Sequence, residues 1–196
     1  MFGQMYVEEL KPATITRPYP IVFWPGTGST GSCWVTTPDG RPGWAAFFLS
    51  RGYKVYLVDP PERGRSAIQP KSGKSISISQ DYAEKNWTAT ASNSNKWPKA
   101  DLHTKWPGSG KGGDAVFDQF LASQVQSQSD YLRAEQLGQR AGAVLLDKIG
   151  PSILCTHSSG GSHGWLIVDA VPDLVKAIVA LEPLGIGISM LFDPLH

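Results

Sequence analysis

The sequence predicts an α/β protein built on a mostly parallel sheet with helices on both faces. Short, uniformly apolar stretches such as Ile21-Val22-Phe23-Trp24 and Ile153-Leu154-Cys155 read as strands buried on both sides. Apolar run, small-residue loop, helix-compatible run and apolar run follow one another near the N-terminus, and the same order returns after residue 150. At 196 residues, with 41% apolar and 18% charged side chains, the chain is long enough to bury one core and close to the globular average. It is read as a single domain over residues 1–196.

Each element has its own signal. Met5-Tyr6-Val7-Glu8-Glu9-Leu10 suits an edge strand, and residues 11–20 are a Pro/Thr-rich connection. The strand at 20–24 runs into a glycine-rich loop, Pro25-Gly26-Thr27-Gly28-Ser29-Thr30-Gly31. Thr36-Thr37-Pro38-Asp39-Gly40-Arg41-Pro42 is turn chemistry. Trp44, Phe47 and Phe48 stand at i, i+3 and i+4, which predicts a short helix over 43–51, ended by Gly52. Residues 53–59 form the next strand, stopped by Pro60-Pro61. Residues 60–128 carry little regular periodicity and read as a long, loop-rich insertion. Its Trp87, Trp97 and Trp106 are expected to anchor it to the body, and 115–121 suits a short helix. Periodicity returns with a helix at 130–149, a strand at 152–156, a helix at 161–171 and a strand at 175–181.

Charge and cysteine content exclude several classes. The formal net charge is +1, so no basic field is available for nucleic acid or an anionic membrane. No apolar run is long enough to span a bilayer. Met1 is followed by Phe2-Gly3-Gln4 without a basic n-region, so no signal peptide is expected and the chain is placed in the cytoplasm. Cys33 and Cys155 do not make a disulfide framework, and Cys155 reads as a small core residue. No cofactor and no metal site is expected, because the histidine spacings match no recognised ligand set.

The chemistry concentrates at Thr156-His157-Ser158-Ser159-Gly160, between a strand and a helix. A sharp strand–turn–helix junction with small flanking residues thrusts its apical serine out of the backbone. Ser158 is therefore a candidate nucleophile, against the plainer reading of a Ser/Gly-rich loop. The usual G-x-S-x-G has Thr156 in place of its first glycine. Glu182 falls just past a later strand, on the rim where α/β sheets collect catalytic groups. Asp59 is a competing acid at another strand end. The glycine loop points backbone N–H groups at an oxyanion on one reading. On another it satisfies G-x-G-x-x-G as a nucleotide fingerprint with Asp59 as the ribose acid. The turn-forming residues 32–42 argue against the second, since the phosphates need a helix starting inside the motif. Gly73-Lys74-Ser75 and Gly108-Ser109-Gly110-Lys111 fail the phosphate-loop spacing. Histidine is the difficulty: His157 adjoins the serine, His163 lies in the next helix, His103 in the insertion, and His196 is the last residue.

Taken together, the glycine loop, residues 37–44, the strand into Arg63-Gly64-Arg65-Ser66, Lys105-Trp106-Pro107-Gly108, Phe117-Asp118-Gln119-Phe120, Thr156-His157-Ser158 and Ala180-Leu181-Glu182-Pro183 resemble the α/β-hydrolase superfamily. Within it they resemble the esterase group similar to a novel bacterial esterase, found in fungi and bacteria. The resemblance runs from Gly3 to about Pro183. It implies a serine esterase working through an acyl-enzyme on a small-molecule ester. Ser158 would be the nucleophile and Glu182 the acid, with backbone N–H groups of Thr27 (or its glycine neighbours) and Ser159 as oxyanion donors. Pro25-Gly26-Thr27-Gly28 stands where such enzymes usually read H-G-G-G, and Glu62 where relatives often carry glycine. The last strands and the catalytic-histidine loop of the family have no counterpart here, so the fold is expected to be incomplete at the C-terminus and activity weak or absent. A Rossmann-like nucleotide-binding domain and a non-catalytic pseudo-hydrolase remain the alternatives.

Overall fold

The structure is a computed structural model and describes residues 3–69, 72–93 and 98–185. Its elements in chain order are β1 (Tyr6–Leu10), β2 (Ile21–Trp24), α1 (Trp44–Leu49), β3 (Val55–Asp59), β4 (Ser75–Ile76), α2 (Gln80–Ala83), α3 (Ala115–Ala122), β5 (Ser127–Gln128), α4 (Tyr131–Ile149), β6 (Ser152–His157), α5 (Gly160–Ala170) and β7 (Val175–Leu181). The five long strands form one sheet in the order β1-β3-β2-β6-β7. Only β1 is antiparallel, paired with β3; β2/β3, β2/β6 and β6/β7 are parallel.

The alternation of side chains along β2 explains why the sheet is covered twice. Val22 and Trp24 face α4 and α5, in a cluster with Tyr56, Val58, Leu145, Leu146, Leu154 and Ile167. Ile21 and Phe23 face the other way, with Trp34, Ala45, Val55, Leu57 and Cys155. Helices therefore lie on both faces, as the uniformly apolar central strands predict. The long helix α4 starts at Asp130, whose side chain accepts from the Arg133 N–H, and ends at Gly150 with φ 84°. Asp114 caps α3 in the same manner. Both cysteines are free, Cys33 exposed and Cys155 buried.

The insertion is more ordered than its composition predicts. β4 and β5 pair antiparallel, and α2 and α3 lie between them in sequence. Trp87 and Trp106 pack edge-on against Phe120 of α3, at 6.1 and 5.3 Å between ring centroids, and Tyr82 packs on Trp87 at 5.3 Å. These tryptophans build a small core of the insertion itself rather than anchoring it to the sheet; Trp97 lies outside the described residues. Hydrogen bonds join the insertion to the glycine loop of the body. Gly28 donates to Ser127 Oγ at 2.9 Å and its carbonyl accepts from the Val125 N–H at 2.8 Å.

Candidate active site

The turn between β6 and α5 places Ser158 at φ 51°, a left-handed conformation that costs a non-glycine residue energy and persists where its surroundings fix it. The Ser158 N–H donates to the Leu181 carbonyl at 3.1 Å, and the Ser158 carbonyl accepts from the N–H groups of Gly161 (2.9 Å) and Leu184 (2.8 Å). The backbone is held on both sides while, among the described residues, nothing bonds the Ser158 hydroxyl. Space is as tight as the small residues imply. A Cβ on Gly26 would stand 2.8 Å from Ser158 Cβ, and one on Gly160 2.9 Å from the carbonyls of Trp24 and Pro25. Thr156 fits where glycine is usual because Gly164 of α5 lies opposite it, and a Cβ there would meet Thr156 Cγ2 at 2.9 Å.

The glycine loop lies against this turn. Thr27 Oγ1 donates to Ser159 Oγ at 2.9 Å, which brings the two expected oxyanion residues side by side. Their N–H groups find no acceptor among the described residues. The neighbouring donors are taken, Gly28 N–H by Ser127 Oγ and Ser29 N–H by the Gly26 carbonyl. Asp59 is fully buried and accepts from the N–H groups of Gly31 and Arg65 and from the Arg65 guanidinium. The segment after the loop is a 3₁₀ turn, Gly31–Trp34, and no α-helix begins before Trp44. A carboxylate saturated in this way cannot hold a ribose, and no helix end faces a pyrophosphate.

Glu182 follows β7 on the same rim, exposed and with φ 43°. Its carboxylate acts on His157, raising that imidazole's pKa, but burial outweighs it and the net shift is downward. His163 is unfit as a base. Its Nδ1 accepts from the Trp24 indole N–H at 2.7 Å, and burial, followed by the nearby Arg63 charge, lowers its pKa to about 3. His103 is exposed in the insertion, beside Trp106. His196 lies outside the described residues.

Three groups at the rim escape a reading of the sequence alone. Glu62, at φ 60° and 4% exposed, accepts from Ser72, Gln128 and Arg133. Arg63 is 5% exposed and donates from Nη1 to the Gly26 carbonyl at 2.8 Å. The Trp24–His163 pair joins β2 to α5. The sequence marks Arg63-Gly64-Arg65-Ser66 and Glu62 through the resemblance and crowds three charges between Pro60-Pro61 and Ser66, but it does not say which of them is buried. Beside the turn is a cavity of about 140 Å³, whose lining includes Thr27, Arg63, Glu135, Ser159, Ser162 and His163.

No family model matches the chain. It is 53% identical over 181 residues to the probable secreted lipase phiG of a fungal species (strain ATCC 74256), a match covering 92% of this chain and 49% of that protein. The chain therefore spans about half the length of this curated relative. A novel bacterial esterase of solved structure is 26% identical, with a TM-score of 0.75 over 93% of this chain and 58% of that one. A probable hydrolytic enzyme from Pseudomonas aeruginosa, 14% identical with a TM-score of 0.52, covers 92% of this chain and 37% of its own, and shares the fold alone. The expected cytoplasmic location is corrected by the first of these, a relative named as secreted, which points outside the cell. Compartment is written in a leader, and residues 1–4 carry no information on one.

Proposed function

We propose that the chain is a member of the α/β-hydrolase superfamily and carries the nucleophile and acid of a serine-dependent carboxylic ester hydrolase. The observation that carries this reading is Ser158 at φ 51° between β6 and α5, with Glu182 on the same rim. Ser158 Oγ attacks the ester carbonyl carbon as a histidine takes its proton. The N–H groups of Thr27 and Ser159 hold the oxyanion. The tetrahedral intermediate collapses, the alcohol leaves with the proton from the imidazolium, and an acyl-enzyme remains. A water deprotonated by the same histidine then attacks the acyl carbon, releasing the acid and Ser158. Glu182 orients that histidine and stabilises its cation.

The base is none of the described histidines. His163 is neutral and committed to Trp24, His157 lies beside Gly26 immediately before the nucleophile in the chain, and His103 belongs to the insertion. Turnover therefore requires a histidine outside the described residues. A fluorophosphonate probe tests the nucleophile: labelling of the chain should disappear in Ser158→Ala. Labelling that survives this change sinks the proposal. Retention on immobilised nucleotide in place of labelling would restore the nucleotide-binding alternative.

A further inference from the structure

We propose that the cavity beside the Ser158 turn is a binding site for a small carboxylate, with the Arg63 guanidinium as its counter-charge, so that the ester taken here carries a second, acidic group. This deepens the esterase reading and rests on it only for the word ester; the anion site itself stands on geometry.

Arg63 is a buried cation without an ion-pair partner among the described residues. Its Nη1 donates to the Gly26 carbonyl, and its buried Nε has no partner. The acid that acts on it most, Asp59, is already spent on Arg65 and on two backbone N–H groups. Burial lowers the pKa of Arg63 to about 10, which leaves it charged throughout the working range. An ion removed from water without a partner is costly, and perturbed groups of this kind in a cleft mark functional-site candidates.

The cavity supplies the rest of an anion site. Thr27 and Ser159 line it beside Arg63, and Ser159 and Ser162 belong to the opening turn of α5, an eleven-residue helix whose N-terminal N–H groups favour negative charge. Its volume of about 140 Å³ is roughly that of a cavity that holds one benzene. A carboxylate on a short alkyl chain fits; a long acyl chain does not. The other titratable groups in the lining leave the charge of Arg63 in place. His163 is neutral, and Glu135, on α4, has an interaction of its own. Thr27 and Ser159 are also the proposed oxyanion residues, so an acid held here lies next to the reacting ester.

The test is calorimetric titration of the whole chain with monomethyl succinate, an ester bearing a free carboxylate, and with its neutral counterpart dimethyl succinate. The monoanion should bind more tightly by roughly tenfold or more, the strength of a charge-assisted hydrogen bond. Ser158→Ala should bind it unchanged, whereas Arg63→Met should weaken it at least tenfold and Arg63→Lys less. Equal binding of the two esters, no binding of either, or an Arg63→Met chain that binds the acid as before would overturn the proposal. If Arg63→Met does not fold, the comparison of charged and neutral ligands on the unaltered chain decides. The two proposals fail separately: labelling that persists in Ser158→Ala while the acid still binds removes the esterase, and Ser158-dependent labelling without preference for the charged ligand removes the carboxylate site.

Discussion

Replacing Glu62 by glutamine tests how strongly the polar rim holds the fold. Its carboxylate accepts from Ser72 Oγ at 2.8 Å and Gln128 Nε2 at 3.0 Å, and takes a two-pronged contact from Arg133 at 2.6 and 3.1 Å. Arg133 first, then the other donors, lower its pKa to about 2 from an ordinary 4.5, against the opposing effect of burial. At about 1.4 kcal/mol per pH unit, that separation corresponds to roughly 3 kcal/mol of stability at neutral pH. The Arg133 side chain is 36% exposed, and solvent screening brings the figure nearer to about 2 kcal/mol. For a chain of this size the melting temperature should fall by roughly 4–8 °C. The pH dependence has a definite sign. A carboxylate with a depressed folded pKa contributes its full stability above pH 4.5 and loses it as pH falls toward 2. Melting both proteins between pH 7 and pH 2 measures this, and the gap between them should close in the acid window. A loss under about 0.5 kcal/mol at pH 7, the range of an ordinary surface change, would refute the reasoning. So would a gap that stays constant into acid.

Two further perturbations probe the body and the turn. Trp24→Phe leaves the buried Nδ1 of His163 without its donor and should cost about 1–3 kcal/mol in urea unfolding. Because His163 titrates near 3 in the fold and near 6.5 unfolded, it contributes stability that is lost as pH falls below 6.5, at up to about 1.4 kcal/mol per pH unit. Urea midpoints of the unaltered chain at pH 7 and 5 check that slope. Gly164→Ala puts a methyl 2.9 Å from Thr156 Cγ2 and should destabilise by about 1–3 kcal/mol. Adding Thr156→Ser removes that methyl contact and should recover most of the loss. Strict additivity of the two changes would show that the contact is not what constrains the turn.

The sheet was legible because its central strands carry their burial in local sequence. Ile21 to Trp24 are all apolar, and period two then divides them between the helices on the two faces. The strand–turn–helix at Ser158 was legible for a similar reason, since small residues and a serine between two apolar runs leave few other conformations. Thr156 in the glycine position looked like a departure because its compensation, Gly164, sits a helical turn away on α5. The insertion was misread for the opposite reason. Trp87, Trp106 and Phe120 are far apart in a polar sequence, and no periodicity reports that they meet. Buried charge is harder still. Nothing local distinguishes Arg63, folded under the glycine loop, from Arg65, which reaches out to Glu8 on β1.

The loop after β3 joins the parts that meet at the rim. Arg65 and Ser66 turn back onto β3 and β1, through Asp59, Glu8 and the Tyr6 N–H. Arg63 supports the glycine loop at Gly26, and Glu62 reaches across to α4 and the insertion. Loops at a sheet rim cannot bury enough apolar surface to fix their own positions, so charge-assisted hydrogen bonds take that part. The tolerance is small, since a Cβ at Gly26 would already come within 2.8 Å of Ser158 Cβ. The two halves of the structure also respond to acid at different points. The α5 face, which buries His163 neutral, begins to lose stability below pH 6.5, whereas the Glu62 contacts stay ionised until pH falls below about 4.5. Mild acid therefore weakens the packing behind Ser158 before it loosens the rim that positions it.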